Sequence, residues 1–220
     1  LDLPRGVARG PPRGFCAGGD IRMLQESGKA DGQEAREFFA SEYRLNTLIK
    51  EYKKPYVAIQ DGVTMGGGVG ISVHGTYRVA TPNTLFAMPE SGIGLFPDVG
   101  GGWFLPRLDG ATGMWLALTG ARLKGEDVLA AGVATHFAED PAGLADKLCE
   151  AGVSALDGLK TEASRSYGDH QGEIDACFGK DSVEDIVAAL EAGSDWAKAQ
   201  AETLASKSPL TLKVAHRQLT

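Results

Sequence analysis

Met65-Gly66-Gly67-Gly68-Val69-Gly70 decides how the rest of the chain is read. It follows the apolar run Tyr56-Val57-Ala58-Ile59, which Asp61-Gly62 closes and whose length suits a buried strand. Without Cβ atoms, three adjacent glycines let the backbone approach a ligand closely, and free N–H groups at a helix start point at negative charge. This geometry suits an oxyanion; a tight turn with close packing is the plain alternative. A nucleotide phosphate fits less well, because the Gly-Lys-Ser/Thr ending and the dinucleotide-binding spacing are both missing.

Downstream of the turn, residues 71–74 read as a short helix stopped by Gly75, and residues 77–80 and 85–88 as strands, the second ending at Pro89. The unit is strand, turn, helix, strand, strand. Residues 92–102 are rich in Gly and Pro and long for an internal connection; with acids at both edges they read as a functional loop. Helices are expected over 111–118 and 124–131, with Gly132 as a C-terminal stop, and a last strand over 135–137. Beyond Pro141 only helix starts are visible: Asp140-Pro141, Ser182 with Asp185 three later, and Ser208-Pro209. Upstream, residues 34–52 carry Ala35, Phe38, Phe39, Leu45 and Ile49 at helical steps. Glu42 falls on that same apolar face, an unusual place for a carboxylate. The opening segment to Arg13 reads as loop, and Phe15-Cys16-Ala17-Gly18-Gly19-Asp20 as a second glycine-rich loop.

With 220 residues, 43% of them hydrophobic, the chain is able to bury one substantial core. A formal net charge of −7 argues against general binding to nucleic acid or to an anionic membrane surface. Cys16, Cys149 and Cys177 are odd in number and have no metal-ligand spacing, which suits a reducing compartment and makes the cytoplasm the default expectation. No run approaches the ~18 apolar residues of a membrane span, and the first residues lack a signal-peptide layout. Cys16 has no visible partner base for a thiol nucleophile. His74, His136 and His216 read as structural and His170 as solvated, while Trp103, Phe104 and Leu105 read as core or pocket wall.

Taken in order, Phe15-Cys16-Ala17-Gly18-Gly19-Asp20-Ile21, Lys54-Pro55-Tyr56-Val57-Ala58-Ile59, Asp61-Gly62, Gly66-Gly67-Gly68 and Pro89-Glu90 resemble the enoyl-CoA hydratase/isomerase, or crotonase, superfamily. The resemblance covers roughly residues 13–138. It implies an α/β fold, the crotonase spiral of β-β-α units, as a core over residues 1–140, with a helical region over 141–220 packing on it. Against the family's layout, the part before the first glycine loop and the helices after Leu219 read as shortened. The resemblance also implies an oxyanion hole made by the N–H groups of Gly19 and Gly67, aimed at a thioester oxygen; one such donor is worth about 3 kcal/mol in a protease example.

Hydratases of this superfamily usually carry one glutamate shortly after the glycine turn and a second after the following Pro. Here the first position is Gly70 and the second is Glu90. Thr64 to Gly75, Gly94-Leu95-Phe96-Pro97-Asp98-Val99-Gly100-Gly101-Gly102, Leu116 to Gly120, Ala134 to Phe137 and Ser208 to Lys213 look like the 3-hydroxyisobutyryl-CoA hydrolase branch. The resemblance then implies hydrolysis of a short branched hydroxyacyl-CoA thioester. Glu90 would be the nucleophile or the general base, Asp98 would assist proton transfer or orient the substrate, and Glu42, Gly67, Glu90 and Asp98 would contact it. It implies no metal or redox cofactor, coenzyme A arriving as part of the substrate. An enoyl-CoA hydratase or isomerase, and an inactive acyl-CoA-binding protein of the same fold, are the alternatives. A homo-oligomer is left open, and a eukaryotic source would favour the mitochondrial matrix over the cytoplasm.

Overall fold

The computed structural model describes residues 6–10 and 14–220. Two small sheets carry the fold. The first is all parallel, in the order β1 (Gly6–Arg9), β2 (Tyr56–Gln60), β4 (Tyr77–Ala80), β7 (His136–Phe137). The second runs β3 (Val63–Met65), β5 (Leu85–Ala87), β6 (Leu123–Lys124), with β3 and β5 parallel and β5 and β6 antiparallel. From β2 to β5 successive strands alternate between the sheets, so this part of the chain advances in β-β-α turns. Gly62 makes the first crossing: it sits at φ +104°, and a Cβ there would lie 2.7 Å from the Gly14 Cα.

Around the sheets lie α1 (Ile21–Lys29), α2 (Gln33–Glu51), α3 (Gly67–Val73), α4 (Gly101–Phe104), α5 (Thr112–Thr119) and α6 (Glu126–Ala130). The rest is helical: α7 (Leu144–Ala151), α8 (Gln171–Phe178), α9 (Val183–Glu191), α10 (Asp195–Ala205) and α11 (Pro209–Leu219). Two hydrophobic clusters hold these layers. The larger joins Phe86, Leu116 and Leu118 to Ile174, Ile186 and Leu190, so α8 and α9 share a core with the second sheet. The smaller packs Val57, Ile59 and Val79 of the first sheet against Leu144, Leu148 and Leu156.

Several sequence expectations are corrected. Residues 6–9 are a strand, because β2 offers them a complete parallel register; residues 1–5 and 11–13 of the expected opening loop lie outside the described residues. Strand β3 escaped notice, since three residues between two glycine turns carry no period of their own. The turn's helix starts at Gly67 rather than Ile71. Asp140 does not open α7: its side chain accepts the Ala142 N–H in a local turn, and Gly143 is the cap. Ser182 and Ser208 do cap α9 and α11, each accepting an N–H three residues on. On α2 the buried positions are Asn46 and Ile49, whereas Leu45 is exposed. His170 stacks flat on Trp196 with centroids 4.6 Å apart, so it is not freely solvated.

One tight joint is at Gly68, where a Cβ would stand 2.0 Å from the Cys16 carbonyl oxygen. Gly68→Ala should therefore cost about 3 kcal/mol, read as a lowered urea midpoint. Gly172→Ala in α8, with nothing within 4 Å of its added Cβ, should leave stability equal or raise it by up to about 1 kcal/mol.

Candidate active site

Gly19, Gly67, Glu42, Glu90 and Asp98 line one cavity of about 190 Å³, walled by Leu24, Phe38, Phe39, Met65 and Leu95. A larger depression of about 390 Å³ beside Trp103 contains none of these acids.

The two glycine loops meet at the cavity floor. Cys16 pairs with Thr64 in an isolated parallel bridge, its N–H donating to the Val63 carbonyl and its carbonyl accepting the Met65 N–H. That bridge lays residues 16–19 along the start of α3. Gly18 sits at φ +99°, and a Cβ on it would come 3.1 Å from the Gly67 nitrogen. Gly67 is the first residue of α3, so its N–H has no partner inside the helix; neither it nor the Gly19 N–H bonds an acceptor among the described residues. A Cβ on Gly67 would lie 2.3 Å from Glu42 Oε1, and one on Gly19 2.4 Å from the Phe38 ring. Only glycine leaves these peptides open to the cavity.

Glu90 follows Pro89 and begins a 3₁₀ turn, Glu90–Gly92. Its carbonyl accepts the N–H groups of Ile93 and Leu95, which fixes the backbone beneath it. The residue is 3% exposed, and Oε2 has no hydrogen-bond partner among the described residues. Burial pushes its pKa up to about 8, the Asp98 charge adding to the shift and its own backbone N–H opposing it. Burial also raises Asp98, against the Tyr43 hydroxyl, which donates to Asp98 Oδ2 at 2.9 Å. Half-buried Glu42 is raised by burial and then by the Asp98 charge. The Tyr43 phenol is pushed far above its ordinary value, by burial first, and so remains a donor.

Sequence reasoning missed Tyr43. It follows Glu42 by one residue, about 100° around the helix, and period alone assigns the two to different faces; only the loop carrying Asp98, folded back across α2, brings both to the site. Gly70 matters for what it forbids. A Cβ there would meet Val99 Cβ at 2.7 Å and Asn46 Oδ1 at 2.8 Å, so the volume a first glutamate would need is filled. Phe104 and Leu105 are core, while Trp103 is exposed between Lys50 and Arg107. Among the described residues no cluster of three His, Cys, Asp or Glu side chains is placed to hold a metal ion, and no helix is long and apolar enough to cross a membrane.

Residues 7–220 match the family described as Enoyl-CoA hydratase/isomerase. The chain belongs to that family. Among relatives of this family member, the mitochondrial 3-hydroxyisobutyryl-CoA hydrolase of Xenopus tropicalis is 50% identical over 94% of this chain, and that of Homo sapiens is 48% identical over 94%. The chain spans 58% of the length of each. Among solved structures, a carnitinyl-CoA dehydratase from Mycobacterium thermoresistibile superposes with a TM-score of 0.93 at 40% identity, covering 99% of this chain and 67% of its own. An enoyl-CoA hydratase from Rhodobacter sphaeroides 2.4.1 gives 0.87 at 36% identity, covering 98% and 64%. The α/β crotonase-type fold is thus established for this chain.

The raised Glu90 pKa sets a pH dependence with a definite sign. Between 4.5, the ordinary glutamate value, and about 8, the folded state holds a proton that the unfolded state has lost, so stability falls as pH rises through this window. Glu90→Gln, which cannot ionise, should flatten that part of the profile. Urea denaturation of both proteins at pH 5 and pH 8 is the check: the wild type should lose more stability than the variant.

Proposed function

We propose that this chain carries the active site of an acyl-CoA thioester hydrolase for a short branched hydroxyacyl group, most simply 3-hydroxyisobutyryl-CoA. One observation carries the reading. The most deeply buried carboxylate of the site, Glu90, shares a small cavity with two open glycine peptides, and the place of another catalytic glutamate at Gly70 is sterically closed. The names of the relatives at 48–50% identity point the same way.

In this mechanism the thioester oxygen lies against the N–H groups of Gly19 and Gly67, which stabilise the charge it gains as the carbonyl carbon is attacked. Glu90 either attacks that carbon, expelling coenzyme A as thiolate and leaving an anhydride that water opens, or takes a proton from the water that attacks. Both routes end in the free hydroxy acid and the thiol. Asp98, held by Tyr43, orients the substrate or passes a proton, and Glu42 meets the hydroxyl end of the acyl group. The cavity of about 190 Å³ suits a short acyl chain. The proposed mechanism uses no metal or redox cofactor, coenzyme A being part of the substrate. The relatives' names place those proteins in mitochondria, and the matrix is the compartment proposed for a eukaryotic source.

Purified protein given 3-hydroxyisobutyryl-CoA should release free thiol, with kcat/KM rising as pH passes about 8 and Glu90 ionises. Glu90→Gln should lower the rate at least about 100-fold while retaining acyl-CoA binding. Loss of the enoyl absorbance of crotonyl-CoA without thiol release would instead identify a hydratase.

A further inference from the structure

Val99, next to Asp98, is the one non-glycine among the described residues with positive φ, at +42°. A β-branched side chain disfavours that region strongly, so something outside the loop must hold the backbone there. The neighbour that does so is His74, the C-cap of α3. Its Nε2 lies 2.7 Å from the Val99 carbonyl oxygen. A carbonyl only accepts, so Nε2 carries the proton and donates. Burial lowers the His74 pKa, and the Lys50 and Arg78 charges act in the same direction against the Val99 bond, which keeps the ring neutral around pH 7. Gly100 packs on the same ring: it sits at φ +91°, and a Cβ on it would stand 2.2 Å from the imidazole Cε1. The Gly101 N–H then closes the turn on the Asp98 carbonyl at 2.6 Å. Two consecutive left-handed residues, of which Val99 is strained, thus rest on one imidazole, immediately after the acid that faces the cavity.

We propose that His74 is a positioning residue: by holding the Val99 carbonyl it keeps the 98–100 turn in its left-handed form and the Asp98 carboxylate in the cavity, within reach of Tyr43. His74 lines the depressions beside Trp103 and not the catalytic cavity, so it acts through the peptide chain and touches no substrate. The functional part of this assignment rests on the proposed hydrolysis; the structural part does not.

The test compares His74→Ala, which removes the donor, with His74→Gln, which keeps a side-chain N–H, and repeats His74→Ala in a Val99→Gly background, where positive φ carries no penalty. With 3-hydroxyisobutyryl-CoA, His74→Ala should lower kcat at least tenfold with KM changed less than threefold. His74→Gln should recover most of that loss, and Val99→Gly should shrink the cost of removing His74. Equal losses in the Ala and Gln variants, or an undiminished loss in the Val99→Gly background, would overturn the proposal. A crystal structure of unliganded His74→Ala gives a readout independent of turnover: loss of positive φ at Val99 and of the Tyr43–Asp98 bond supports the assignment, and their retention refutes it. If His74→Ala does not fold, a structure of His74→Gln decides in the same way, its amide bonded to the Val99 carbonyl or the turn displaced. Wild-type protein that releases no thiol counts against the hydrolase reading alone, and the structural readout still judges the positioning role.

Discussion

The site depends on one backbone contact, the approach of Gly68 to the Cys16 carbonyl, which is too close for any Cβ. Because α3 starts flush against residues 16–18, the open peptides of both glycine loops face the same small volume. The Cys16–Thr64 bridge keeps the first loop parallel to β3, so the two loops cannot slide independently. The other end of α3 is placed by the same contact, and with it the ring on which the 98–100 turn rests.

Burying Glu90 and Asp98, with Glu42 half-buried beside them, around one small cavity opposes folding: Asp98 has the Tyr43 hydroxyl, while one Glu90 oxygen has no partner among the described residues. The rest of the molecule bears that cost, chiefly the large hydrophobic cluster shared by the second sheet, α5 and the C-terminal helices. Such an arrangement is characteristic of sites that trade stability for a poised group. Here burial holds the Glu90 carboxyl well above the ordinary glutamate range, at about 8.

Much of this was legible in the sequence, for identifiable reasons. Serine caps at 182 and 208 act through bonds to their own next turn, so local spacing was enough to place α9 and α11. The glycine turn, Glu90 and Asp98 could be read because they sit in motifs whose order is itself informative. Glu42 stood out by breaking the apolar face of α2. What could not be read depended on distant partners. β1 exists only because β2 accepts it, β3 is three residues between turns, and Tyr43 becomes part of the site only when a loop 55 residues later folds across it. The strain at Val99 was likewise invisible, since a valine within a glycine-rich loop gives no local sign of its φ.

The packing around Gly70 bears on how chemistries diverge within one fold. In a two-carboxylate arrangement that position bears an acid; here Val99 and Asn46 close over it from two separate elements. Val99 belongs to the turn that holds Asp98, and Asn46 lies on α2 one turn beyond Glu42. A glutamate therefore cannot be installed at residue 70 by a single exchange. That turn and that helix face would have to be reshaped together, so an acid at this position is reached only by a correlated set of changes rather than by one step.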